Sequence, residues 1–168
     1  LSGEIMVESE VEKGSIFTVY FPIERKRRDE KPYKAEAIPT GNEQILLIDD
    51  ELPIARMMGL MIEKLGYNVV VRTSSIEALE LFRSKPADFD LVITDMTMPN
   101  MTGDKLAAEM IAVKPDIAVI ICTGYSKKVS EESTRDIGIK AIVYKPVVKT
   151  DLAKTIRKVL DHDRRKQD

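Results

Sequence analysis

Residues Gln44 to Gly66 read QILLIDDELPIARMMGLMIEKLG, and this stretch decides the fold. Ile45 to Ile48 is an unbroken apolar run that stops at three acids, Asp49-Asp50-Glu51; from Pro53 to Leu65 apolar residues then recur at helical spacing until Gly66. A short continuous apolar run is a strand buried on both faces, and a strand followed by an amphipathic helix is the unit of a parallel sheet. The unit repeats outward along the chain. Apolar runs at 45–48, 69–71, 91–94, 117–122 and 141–144 alternate with amphipathic stretches that predict helices over Pro53 to Leu65, Ser75 to Ser84, Thr102 to Val113, Ser130 to Asp136 and Thr150 to Leu160. Ser74 or Ser75, Thr102 and Thr150 are the expected N-caps, and Gly66 and Gly138 close the first and fourth helices. Alternation of this kind predicts a doubly wound, three-layer α/β domain whose parallel sheet is covered on both faces by right-handed crossovers.

The pattern before Gly41 is different. Glu4 to Val7 and Ser15 to Phe21 are short apolar runs, the second alternating, and Glu8 to Gly14 between them reads as the turn of a β-hairpin. A lone two-stranded hairpin is marginal in water, so the chain is expected to be a piece of something longer. Glu24 to Glu36, ERKRRDEKPYKAE, is charged at ten of thirteen positions with no apolar period. Interspersed acids cancel much of its basic charge, which favours a solvated spacer over a patch for nucleic acid or anionic lipid. The expected organisation is therefore hairpin 1–23, linker 24–43, α/β domain 44–161 and a charged tail 162–168.

At 168 residues the chain has room for one domain and an appendage. Lys and Arg total 26 against 28 Asp and Glu, so there is no electrostatic case for direct nucleic-acid binding. Ile45 to Ile48 and Ile117 to Cys122 are the longest apolar runs, far short of the ~20 residues that cross a bilayer, so no membrane contact is expected. The single Cys122 permits neither an internal disulfide nor a cysteine zinc site; it lies within an apolar run and reads as a small buried hydrophobe. His162, the one histidine, follows the last expected helix as a solvated tail residue, which removes Ser-His-Asp and Cys-His catalysis. There is no G-x-x-x-x-G-K-[ST] and no G-x-G-x-x-G after the first strand, so neither of those phosphate cradles is available.

In an open α/β sheet the chemistry lies outside the carboxyl ends of the strands. The first strand ends in Asp49-Asp50-Glu51, the third in Asp95, the fourth in Thr123-Gly124 and the fifth in Lys145-Pro146. Carboxylates gathered on one rim repel, two unit charges about 4 Å apart costing ~4 kcal/mol at an effective dielectric near 20. A hard divalent ion relieves this, and Mg²⁺, bound through one or two carboxylates plus waters and a phosphate oxygen, suits the set better than Ca²⁺. Lys145 adds a fixed positive charge for phosphoryl oxygens. Taken singly, each acid could be no more than a helix cap or a solvated strand end.

In order and spacing, Leu46-Leu47-Ile48-Asp49-Asp50-Glu51, Leu91 to Pro99 with Gly103, Cys122-Thr123-Gly124-Tyr125 and Tyr144-Lys145-Pro146 resemble the receiver domain of response regulators and hybrid histidine kinases. The resemblance spans 44–161 and implies the flavodoxin-like (βα)5 fold with sheet order 2-1-3-4-5. It implies that Asp95 accepts a phosphoryl group from phosphohistidine, and that Asp49, Asp50, Asp95 and the backbone carbonyl of Thr97 hold Mg²⁺. It further implies that Lys145 neutralises the transferring group, that Thr123 turns inward to the bound phosphoryl with Tyr144 following, and that Lys145-Pro146 is cis. Val147, in place of an aromatic, departs from the pattern and affects packing only. Gly124 and Tyr125 after the switch threonine are more like hybrid kinases.

The leading segment, Gly3 to Glu10 with Lys13 to Pro22, resembles the last two strands of a histidine-kinase ATP-binding domain. The implied parent is a hybrid sensor kinase, membrane-associated or not, whose ATP and phosphohistidine segments lie upstream; this stretch is expected to be cytoplasmic and by itself only to accept and slowly hydrolyse a phosphoryl group. Its expected partners are a histidine kinase or a histidine phosphotransfer protein, with self-association through the receiver face or the hairpin left open. Three other functions compete. A phosphorylation-independent interaction module of the same fold predicts no response to Mg²⁺ or a phosphate mimic. An aspartyl-phosphate hydrolase usually carries a second carboxylate two residues after its nucleophile, where Thr97 stands here. A flavin carrier shares the fold, but the acidic first strand end would repel a flavin phosphate.

Overall fold

The structure is a computed structural model that describes residues 3–22, 37–124 and 136–164. The chain divides into two compact units, one ending at Glu36 and one starting at Ala37.

In the smaller unit β1 (Glu4–Glu10) and β2 (Gly14–Tyr20) form an antiparallel hairpin. The register pairs Ile5 with Val19 and Val7 with Phe17, which gathers four apolar side chains on one face, all of them exposed within this unit. The turn is tighter than the sequence suggests. Glu8, Ser9 and Glu10 remain in β1, because Ser9 still pairs with Ser15, their hydroxyls 2.8 Å apart, and the reversal is left to the three residues before Gly14.

The larger unit runs β3 (Gln44–Ile48), α1 (Leu52–Glu63), β4 (Asn68–Arg72), α2 (Ser75–Ser84), a 3₁₀ turn (Pro86–Asp88), β5 (Leu91–Asp95), α3 (Gly103–Val113), β6 (Ala118–Thr123), β7 (Ala141–Tyr144) and α4 (Lys149–Arg164). The five strands are parallel, in the order β4-β3-β5-β6-β7. Within the domain this is 2-1-3-4-5, as the resemblance implies. Strand side chains alternate between faces, so each strand feeds two cores. Ile45, Leu47, Ile93 and Ile120 pack with Met58 and Ile62 of α1 and Leu152 and Ile156 of α4. Leu46, Ile48, Val92 and Val119 pack with Phe82 of α2 and Leu106 and Met110 of α3. Each such side chain is almost fully withdrawn from water, worth about 1.5–3 kcal/mol apiece.

Local signals explain most boundaries. The Ser74 hydroxyl accepts from the Glu77 amide at 3.3 Å and starts α2, as expected. Thr102 occupies the N-cap position of α3, but its side chain makes no capping hydrogen bond. Thr150 lies inside α4 rather than capping it, because the amides of Asp151 and Leu152 already bond to the Val148 carbonyl. That helix also runs past Leu160 to Arg164 and takes in His162; the Arg157–Asp161 pair at 2.9 Å, four residues apart, supports its last turns. The expected helix over Ser130 to Asp136 lies outside the described residues except for Asp136, which is helical. Among the described residues no helix is long and apolar enough to cross a membrane.

Candidate functional site

Where β3 and β5 end side by side, two acids meet. Asp49 follows the last residue of β3 and is 2% exposed, and its Oδ1 accepts from the Glu51 amide at 3.0 Å. Asp95 is the last residue of β5, also buried, and its Oδ2 accepts from the Thr97 amide at 2.7 Å. Both are acids bonded to the amide two residues on, which locks one oxygen and aims the other. The sequence names the two aspartates but not these amides, although the two-residue offset was there to be read.

The free oxygens point at one ammonium. Lys145 Nζ lies 2.8 Å from Asp49 Oδ2 and 2.5 Å from Asp95 Oδ1. Its position is set by β7, whose end stands beside β6 so that the Lys145 amide donates to the Thr123 carbonyl at 2.8 Å, and the Lys145-Pro146 bond is cis. Burial pushes the ammonium's pKa down, but hydrogen bonds and charge from Asp49 and Asp95 outweigh it and hold the group above the ordinary lysine range. One ammonium cannot neutralise two carboxylates, and Asp50, exposed next to Asp49, adds a third. Among the described residues, Asp49, Asp50 and Asp95 therefore outnumber the ammonium that bridges two of them.

Close approach of α3 completes the rim. The Gly103 amide donates to the Met96 carbonyl at 2.9 Å, and a Cβ on Gly103 would stand 2.1 Å from the Asp95 carbonyl oxygen. Only glycine lets the helix start there. Thr123 is buried at the end of β6, with its hydroxyl donating to the Gly124 carbonyl at 2.9 Å rather than to either aspartate. Tyr144, its partner in the adjoining strand, is 54% exposed. Thr97 is exposed on the loop after Asp95, and Tyr125 lies outside the described residues. Cys122 is buried and its thiol is pushed up to about 12, chiefly by burial, so it is inert at neutral pH.

The structure therefore brings Asp49, Asp95 and Lys145 into direct contact, sets Thr123 and Tyr144 side by side, and leaves Asp50 and Thr97 on the rim. Among the described residues no three His, Cys, Asp or Glu side chains gather into a metal cage. A groove of about 610 Å³ exists elsewhere, lined by residues such as Lys140, Ile142, Lys158 and His162 at the amino-terminal end of β7. It shares no residue with the carboxylates.

Comparison with known proteins adds the family. A family model described as the response regulator receiver domain matches residues 45–157. The sensor kinase CckA of Brucella abortus (strain 2308) is 32% identical over 169 residues, covering 95% of this chain and 18% of that protein. The transcriptional regulatory protein GlrR of Escherichia coli (strain K12) is 32% identical over 117 residues, covering 70% of this chain and 26% of the regulator. A crystal structure of a response regulator receiver domain protein from Clostridium thermocellum superposes with a TM-score of 0.69 at 32% identity, covering 73% of this chain and 97% of that one. The chain thus spans about a fifth to a quarter of the curated relatives' length.

Proposed function

The chain belongs to the response regulator receiver domain family of two-component phosphorelay systems, and from that premise we propose that Asp95 is its phosphoacceptor. The observation that carries this reading is the pair of buried carboxylates, Asp49 and Asp95, bridged by Lys145 at the carboxyl ends of adjacent strands. Asp95 Oδ1 would attack the phosphorus of a phosphohistidine; the new O–P bond forms as the N–P bond breaks, and the imidazole leaves with the electron pair. Lys145 moves its hydrogen bonds from carboxylate to phosphoryl oxygens, so charge developing on the transferring group meets a donor already in place.

The donor chemistry also supports Mg²⁺. Mg²⁺ keeps several waters and binds through one or two carboxylates, so Asp49 and Asp95, with Asp50 and the Thr97 carbonyl at the rim, fit it without a protein-only cage. Bound there, it would neutralise phosphoryl oxygens. The excess of these carboxylates over Lys145 among the described residues supports a cation beside the lysine.

The same reading gives Thr123 and Tyr144 their roles. The Thr123 hydroxyl now bonds to its neighbour's carbonyl, and a phosphoryl group on Asp95, bringing about −1.5 to −2 charges and three acceptor oxygens, offers a stronger partner. Tyr144, exposed beside it, would follow into the vacated space. Receivers of this family interact with histidine kinases and phosphotransfer proteins. The kinase-like relative matches hairpin, linker and receiver together, whereas the regulator's match is the length of the receiver. This supports a hybrid sensor kinase as the parent, with β1 and β2 ending its ATP-binding domain.

Incubation with a radiolabelled phosphohistidine donor tests the assignment. Label is expected on the wild type and absent from Asp95→Asn; label on the variant would put the acceptor elsewhere.

A further inference from the structure

At the end of the sheet opposite the carboxylates, a second buried charged cluster takes no part in the proposed chemistry. Glu43, one residue before β3, is only 6% exposed. Its Oε1 accepts from the Arg157 guanidinium of α4 at 2.8 Å, its Oε2 from the Asn42 amide at 3.0 Å, and Arg157 Nε reaches Asp161 at 2.9 Å. The Glu43 hydrogen bond holds Arg157 above its ordinary pKa, and burial raises that of the Tyr67 phenol beside it.

The backbone is built to admit this cluster. A Cβ on Gly41 would fall 2.3 Å from both Glu43 Oε2 and the Tyr67 ring and 2.8 Å from Arg157, so a larger residue there would push the cluster's side chains apart. The Gly41 amide donates to the Leu65 carbonyl at 3.1 Å, and the Asn68 side chain and amide hold the Asn42 and Glu43 carbonyls. Residues from Ala37 onward thus belong to the larger unit, although the sequence assigns 24–43 to the linker.

The other end of α4 matters equally. The helix begins at Lys149, four residues after Lys145, and Arg157 lies eight residues further on, a rise of about 12 Å. One rigid element therefore joins the cluster to the loop that carries the site lysine. We propose that Gly41, Asn42 and Glu43 form a strap buckled to α4 by Arg157, so that the chain entering the domain and its last helix open and move as one unit. This coupling is independent of which aspartate accepts a phosphoryl group.

Native-state amide exchange of the full chain in sub-denaturing urea tests it. In the wild type, Gly41, Asn42 and the α4 amides from Arg157 to Asp161 are expected to share one opening free energy and urea slope, below those of Leu91 to Asp95. In Glu43→Gln, where a charge-assisted hydrogen bond becomes a neutral one, both groups are expected to exchange about tenfold faster together, still with one opening free energy and one urea slope, below those of Leu91 to Asp95. Acceleration of the strap without the helix, separate slopes for the two, or no change would overturn the proposal. Should the variant not fold, separate slopes for strap and helix in the wild type would overturn it as well.

Discussion

Replacing Lys145 by Met removes the ammonium that bridges Asp49 and Asp95, and the structure fixes the size of the effect. The two N···O distances, 2.8 and 2.5 Å, laid end to end place the carboxylate oxygens at most about 5 Å apart. At that separation and an effective dielectric near 20, two unit charges repel by ~3 kcal/mol, within the ~3–5 kcal/mol that breaking a buried pair costs. The lysine side chain is 23% exposed and the two acids far less, so solvent screens the pair only in part. The sign with pH is fixed too. Lys145 has a raised pKa, so its stabilisation is complete below the ordinary value of 10.5 and is lost only as pH rises through the folded value. Urea unfolding followed by circular dichroism, at pH 7.5 with chelator and low salt, therefore measures the whole effect. The expected loss is ~3 kcal/mol in Lys145→Met, falling to about half in an Asp95→Asn background, where one of the repelling charges is gone. A loss below ~0.5 kcal/mol, or one equally large in both backgrounds, would refute the reasoning.

Two further outcomes follow from the packing. Gly103→Ala places a methyl 2.1 Å from the Asp95 carbonyl, so α3 must retreat; a stability loss of about 1–3 kcal/mol is expected by thermal unfolding, together with weaker phosphoryl uptake. Burial raises the Glu43 carboxyl's pKa, but its bonds to Arg157 and to the amides of Glu43 and Asn42 leave it below the ordinary 4.5. Its contribution, made against Arg157, Asp161 and Tyr67, is then present above pH 4.5 and lost as pH falls through the folded value. Glu43→Gln should be less stable than the wild type at pH 7, with the gap closing below pH 4.5 in a pH series of urea midpoints.

The residues that the sequence made legible are those whose role depends on strand ends. Asp49, Asp95, Thr123 and Lys145 each stop an apolar run, and a parallel sheet sends all such stops to one edge. The hairpin and the Ser74 cap were legible for the same reason, being local. What stayed hidden depends on distance along the chain. Glu43 and Arg157 are 114 residues apart, and a glutamate beside a charged linker reads as solvated until the fold seats it under α4. The extra turn of α4 past Leu160 rests on Arg157 and Asp161 in a polar stretch with no apolar period to announce a helix. Thr102 failed as a side-chain cap where Ser74 succeeded, because its helix start is set by Gly103 packing on the end of β5.

The most direct test of the central claim is Mg²⁺-dependent binding of beryllofluoride, a mimic of the aspartyl phosphate, followed by amide NMR in the wild type and in Asp95→Asn. The account predicts saturable shifts around Asp95, Thr123 and Lys145 that require Mg²⁺ and vanish in the variant. No shift in the folded wild type with Mg²⁺ present would contradict it and leave a docking module that works without phosphorylation.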